Sequence, residues 1–416
     1  MPVIDLARLL VNLSLALDFS RRGLMRHHQR VALVALRIGE AAGISFEERL
    51  DLFKAAIIHD AGAVTWPEKD ALEAFDIQDP WEHCRRGHQF VSDVDILAPA
   101  AEIILSHHDR WRGDNPSGKA GAGIPLAARI IHLADRLDVL LTDREYILDQ
   151  REPIIKQIQL LSGRVFDPDL VEIFMRLARA ESFWLDITAP CLTENLLGLV
   201  GRQIFIVDLT QLMPVARLFA RVIDAKSPFT HRHSRGVAAV ARHLARHMGM
   251  GEGECLLMEM AGLLHDLGKL TVPEEILEKP GRLTEKEFNR IKQHTYYTYW
   301  LLKPFDDQLS LARWAAYHHE KLNGQGYPFR LAGSQLCLGS RIMAVSDMFT
   351  ALKEDRPYRP GLSWAEIERI IGAQVQEGAL DGRVVGALFD SRRELEEMWG
   401  ELTIAGDRCE LDLKRN

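Results

Sequence analysis

The sequence predicts an all-α protein built as two copies of one helical bundle. Apolar residues recur at helical spacing along most of the chain, helix-start signals punctuate it, and it repeats itself at an offset of 206 residues. At 416 residues it exceeds one ordinary compact domain of ~150 residues.

Near the N-terminus the helical stripe runs through Leu6, Leu9, Leu10, Leu13 and Leu17, then through Val31, Val34, Ala35 and Ile38. Ser45 with Glu48 forms a capping box ahead of Leu50, Phe53, Ile57 and Ile58, and the device returns at Thr284/Glu287 and Ser363/Glu366. Alternating strand patterns are almost absent, the best candidate being the short run from Gln203 to Val207. Asp186 to Arg202, with Pro190 and two Gly, reads as linker. The expected segments are 1–185, a linker 186–205, 206–400 and a polar tail 401–416.

Composition narrows the function. A hydrophobic fraction of 47%, a charged fraction of 26% and a net charge of −8 describe a globular chain and argue against a DNA or RNA binder. Any anionic ligand must therefore be met by local positive charge. Five scattered cysteines without a C-x-x-C pair indicate neither a disulfide framework nor a thiolate zinc site, and a reducing cytoplasm fits them best. Asp5, Arg8 and Asp18 interrupt the N-terminal apolar pattern, which speaks against a signal peptide. No window supplies the ~18 apolar residues of a membrane span, so no membrane partner is expected. A homodimer is left open.

The chemistry centres on His265-Asp266-Leu267-Gly268-Lys269, at the end of an apolar helical run. A His ligand offers a neutral nitrogen to one cation, and the neighbouring carboxylate can bridge a pair of cations. Lys269 adds a mobile point charge suited to phosphate. One His-Asp pair is weak evidence, but the repeat strengthens it. His27 meets His233, His59-Asp60 meets His265-Asp266, and His88 meets His294; Gly62, Thr65, Pro67 and Glu68 also meet their counterparts. Beyond a gap, His107-His108-Asp109 and Asp135 answer to His318-His319-Glu320 and Asp347. His28, His83, His132, His231, His243 and His247 match no ligand position and read as solvated or locally hydrogen-bonded. The arginines at 232, 235, 242 and 246 read mainly as a solvated face.

With HDLGK at 265–269 and His318-His319-Glu320-Lys321-Leu322-Asn323-Gly324-Gln325-Gly326-Tyr327-Pro328, the chain resembles the HD superfamily of metal-dependent phosphohydrolases. Roughly residues 215–400 are similar to its HD-GYP branch, while 1–185 resemble only the broader family. The implied architecture is tandem HD bundles, the second of HD-GYP type. The resemblance implies that His233, His265, Asp266 and Asp347 hold one metal and His294, His318 and His319 a second, with Asp266 bridging. Two divalent ions, iron or manganese, would activate a water against phosphorus. Asp266 and Lys269 would be catalytic; Lys269, Gly326, Tyr327, Arg356 and Arg359 would hold substrate. The implied activity is phosphodiester hydrolysis of a 3′,5′-cyclic dinucleotide to a linear dinucleotide or mononucleotides, with c-di-GMP the first expectation. Cyclic GMP-AMP and a non-catalytic nucleotide-binding regulator are the alternatives.

The family motif commonly has Asp where this chain has Asn323, a position read as structural. Phe229 stands where some members place a third-metal Glu, so two metals are expected. The first repeat keeps a further candidate ligand set, His27, His59, Asp60, His88, His107, His108 and Asp135. It has Ala63 in place of the Lys and lacks Gly-Tyr-Pro. Metal without efficient hydrolysis is expected there.

Overall fold

The computed structural model describes residues 4–20, 23–75, 79–201, 206–226, 233–355 and 360–413. They form an all-α fold apart from two small antiparallel pairs, Ile4–Asp5 with Ile206–Val207 and Phe19–Ser20 with Gly23–Leu24. Of the strand expected over Gln203 to Val207, the last two residues supply the second partner of the first pair, and residues 203–205 lie outside the described ones. The chain divides into two compact units, Ile4–Val207 and the part that begins at Asp208.

In the first unit Asp5 caps helix Leu6–Leu17 by accepting from the Arg8 amide. The stripe Leu6, Leu9, Leu10, Leu13 and Leu17 is buried, as are Val31, Val34, Ala35 and Ile38 of helix His27–Ala41. Helices Phe46–Ala56, Trp81–Ser92, Ala98–Leu105 and Leu126–Val139 complete the walls of its centre. The capping box at Ser45 is formed in both directions, with Glu48 accepting from the Ser45 amide at 2.8 Å and Ser45 Oγ accepting in return at 3.3 Å.

The stretch 186–205 is not the linker expected from its Pro and Gly. It carries helix Leu192–Val200, whose Leu192, Leu196 and Val200 fall on one buried face, and Thr193 Oγ1 donates to Gln29 Oε1 at 2.9 Å. Apolar residues four apart outweigh the Gly198 between them, and Gly201 ends the helix with a positive φ of 94°.

In the second unit helices Leu209–Ala225, His233–His247, Glu252–Leu264, Glu285–Leu302 and Leu338–Lys353 surround the corresponding centre. The box at Thr284/Glu287 is formed, and Glu366 accepts from the Ser363 amide at 2.9 Å. The positive face of helix His233–His247 is largely paired, Arg242 with Glu252 and Glu259, and Arg246 with Glu252. The polar tail expected from 401 continues helix Arg392–Leu413.

Candidate metal centres

In the second unit the apolar helix Glu252–Leu264 drives its C-terminal end into the core, and the chain leaves through a tight turn, Leu267–Thr271. A Cβ on Gly268 would sit 1.9 Å from the His294 carbonyl oxygen, so only glycine lets the turn pass under helix Glu285–Leu302. His265 and Asp266 are thereby held, almost fully buried, against that helix.

The predicted second-repeat ligands converge. Asp266 Oδ2 lies 3.1 Å from His265 Nε2 and 3.9 Å from His233 Nε2, while its other oxygen faces His294 Nε2 at 3.6 Å. Asp347 Oδ1 is 3.1 Å from His233 Nε2, and Oδ2 is 3.7 Å from His319 Nδ1. His233, His265 and Asp347 form one donor cluster and His294, His318 and His319 another, with Asp266 between them.

The proton positions support a cation-binding role. The Nδ1 atoms of His265, His294 and His318 face the carbonyls of Gly262, Ile291 and Ala315 at 2.6 to 2.7 Å; since a carbonyl only accepts, each Nδ1 carries the proton. Each Nε2 then presents a lone pair, yet His294 Nε2 and His318 Nε2 stand 3.3 Å apart and buried His265 Nε2, facing the Asp266 carboxylate, has no hydrogen-bond partner. Lone pairs converging in a buried space suit a divalent cation. Burial pushes His294 down to about 3 and His318 well below the usual imidazole range, so both rings are neutral, as ligands must be. Burial alone would raise Asp266, but its neighbours, the Lys269 ammonium at 2.6 Å among them, hold it well below the usual carboxylate range.

Lys269 Nζ reaches Asp266 Oδ2 at 2.6 Å. Beyond His319 opens a cleft of about 470 Å³, bordered by Phe288, Lys292, Gly326, Tyr327 and Arg330. The Tyr327 ring lies 4.9 Å from that of His319 and meets Phe288 edge-on at 5.8 Å. Buried Glu320 holds this wall by accepting from the amides of Phe329 and Leu331 at 2.7 and 3.0 Å. Asn323 donates to the Glu377 carbonyl at 3.1 Å, a bond that an Asp could not make. Arg356, Arg359, Phe229 and His231 lie outside the described residues.

The first unit reproduces the arrangement with one correction. His27, His59, Asp60, His107, His108 and Asp135 come together: His27 Nε2 is 3.3 Å from His59 Nε2 and 3.5 Å from Asp135 Oδ1, and His107 Nε2 is 3.4 Å from Asp60 Oδ1. His88 is not among them. It sits half-exposed on the far side of its helix, beside Ser92 and Glu102. Its place is taken by His83, read from sequence as a bland histidine, whose Nε2 lies 3.2 Å from Asp60 Oδ1 and 3.3 Å from His107 Nε2. A Cβ on Gly62 would meet the His83 carbonyl at 2.0 Å, just as one on Gly268 would meet that of His294. The signal was available: His83 precedes His107 by 24 residues, as His294 precedes His318. Buried His108 Nε2, Asp60 Oδ1 and Asp135 Oδ1 have no hydrogen-bond partner, so this donor set also suits a cation.

The surroundings differ. Ala63 stands where Lys269 would be, and Arg136 donates to Asp135 Oδ2 at 2.8 and 3.0 Å. Trp81 and His132 stand where the second unit has the cleft-lining Lys292 and Ala344. Both bond to Asp109, the indole to its carboxylate at 3.4 Å and His132 Nδ1 to its carbonyl at 3.0 Å.

The HD domain profile matches residues 13–170 and 217–384, that is, both units. The chain belongs to the HD domain family. HD domains are metal-dependent, consistent with the buried His/Asp clusters. Across 392 residues the chain is 35% identical to 3′3′-cGAMP-specific phosphodiesterase 1 of Vibrio cholerae, covering 92% of this chain and 89% of that protein. It is 37% identical over 192 residues to a cyclic di-GMP phosphodiesterase response regulator of Xanthomonas campestris, covering 45% of this chain and 50% of that one. The solved structure of a cyclic GMP-AMP-specific phosphodiesterase of V. cholerae superposes with a TM-score of 0.68 at 26% identity, covering 94% of this chain and 98% of that one. No described helix is long and apolar enough to cross a membrane.

Proposed function

We propose that this HD-family protein is a metal-dependent phosphodiesterase that opens a 3′,5′-cyclic dinucleotide in its second unit, with 3′3′-cGAMP as substrate. The observation that carries the reaction class is the joining of two donor clusters through Asp266, beside Lys269 and an open cleft. When bound, two divalent ions supply an activated water and stabilise the charge that develops on the phosphate oxygens. His233, His265, Asp266 and Asp347 would hold one, and His294, His318 and His319 the other.

The rest follows from this chain's own side chains. Lys269, near the centre, would give up part of its contact with Asp266 to take a non-bridging phosphate oxygen. Lys292 and Arg330 give the cleft positive charge in an otherwise acidic protein, and the Tyr327 and Phe288 rings offer faces for a base. The base preference rests on relatives: two proteins named for cGAMP match this chain over more than nine-tenths of its length, whereas those named for c-di-GMP match less than half of it. The motifs alone put c-di-GMP first with cyclic GMP-AMP as its alternative, and c-di-GMP stays the competing substrate. In the first unit the same clusters would hold metal through His83 rather than His88, but Trp81 and His132 occupy the cleft positions and no Lys stands at 63.

The test is to incubate full-length, metal-loaded protein with 3′3′-cGAMP, c-di-GMP and c-di-AMP and separate the products. Fastest linearisation of 3′3′-cGAMP is expected. Preference for c-di-GMP would overturn the base assignment, and inertness toward all three would overturn the reaction class.

A further inference from the structure

The first histidine of each centre needs a fixed acceptor at Nδ1 if Nε2 is to address a metal, and the two units find it in different places. In the first unit it is Asp138, three residues after ligand Asp135, with Oδ2 at 2.8 Å from His27 Nδ1. Asp138 is held in turn by Arg30, three residues after His27, whose Nη2 donates at 2.9 Å. Both positions are changed in the second unit: Thr350 follows Asp347 by three, and Gly236 follows His233 by three. The change is concerted, because a Cβ on Gly236 would meet the Thr350 methyl at 2.9 Å, leaving no room for an arginine. Thr350 is fully buried and its hydroxyl has no hydrogen-bond partner.

His233 Nδ1 nevertheless has a carboxylate, Glu354 Oε2 at 3.1 Å. Glu354 is the C-cap of helix Leu338–Lys353, one turn beyond Thr350, to whose carbonyl its amide donates at 3.0 Å. It is buried, which is unusual for a glutamate without a partner to satisfy.

We propose that Glu354 is the positioning residue of the second centre, replacing from one turn away the carboxylate that Asp138 supplies in the first. It accepts the Nδ1 proton of His233, fixes the ring's tautomer and orientation, and makes Nε2 a stronger donor. The proposal rests on the second cluster being a metal centre, and its test separates the two.

Mn²⁺ binding is measured by chelator competition and elemental analysis on the full-length chain, in a His59→Ala/Asp60→Ala background that removes the first cluster. Glu354→Ala should weaken Mn²⁺ binding by ~10- to 100-fold while turnover recovers at saturating Mn²⁺. Glu354→Gln, which still accepts through its amide oxygen, should lose less, and Thr350→Asp added to Glu354→Ala should restore binding. Wild-type affinity in both Glu354 variants, or no rescue by Thr350→Asp, would overturn the proposal. Asp266→Ala is the control. If it keeps Mn²⁺, the metal-centre reading fails; if it loses Mn²⁺ while Glu354→Ala does not, only the role of Glu354 fails.

Discussion

The two units carry nearly the same inner polar cluster in different surroundings. Asp60 and Asp266 stand between paired histidines with closely similar separations, and the adjacent His107–His108 and His318–His319 ring pairs both have centroids 4.2 Å apart. Outside that cluster the second unit has Lys269, Gly-Tyr-Pro and a cleft beside His319, whereas the first has Ala63, fills the corresponding side with Trp81 and His132, and opens instead beside His27, Asp60 and Asp135. Arg136 also occupies one oxygen of Asp135, with no counterpart at Met348. Holding a metal and holding a diester are therefore separable demands on this fold: the first needs converging lone pairs, the second a cleft beside the paired histidines and a cation within reach.

Lys269 tests that separation with the largest expected effect. A contact that strengthens as charge develops is worth ~3 to 4 kcal/mol, so Lys269→Ala should slow turnover by roughly 100- to 1000-fold with metal content unchanged. An unaltered rate would remove the main chemical distinction between the units. Next comes the ligand correction. With His265→Ala/Asp266→Ala disabling the second centre, residual metal reports the first, and adding His83→Ala should lower its affinity by more than ~10-fold, whereas His88→Ala should not. Metal loss on changing His88, not His83, would restore the assignment made from spacing. The smallest effects concern features the units share. Ser45→Ala and Thr284→Ala each remove a side-chain helix cap and should cost about 1 kcal/mol in thermal or denaturant unfolding, leaving metal content alone.

Much of this was legible in the sequence because the signals are local. Helical stripes such as Leu6 to Leu17 and capping boxes such as Ser45/Glu48 depend on neighbours a turn away. The repeat exposed most of the donors for the same reason that any tandem copy does. It misassigned His88 because the second copy has five more residues between Glu274 and His294 than the first has between Glu68 and His83, and an ungapped match happened to land on another histidine. Pro190 and two glycines suggest a linker, but the four-residue spacing of Leu192, Leu196 and Val200 builds a helix there instead. The roles of Glu354, Asp138 and Trp81 were not legible, since each depends on a partner distant in sequence: His233, His27 and Asp109.

The assignment of catalysis to the second unit is tested most directly by measuring Asp60→Ala and Asp266→Ala proteins side by side, at saturating metal, for hydrolysis of 3′3′-cGAMP. A rate within about twofold of wild type is expected for Asp60→Ala, as for sites that share no partner, and no detectable product from Asp266→Ala. Sustained hydrolysis by Asp266→Ala, with activity lost in Asp60→Ala, would contradict it.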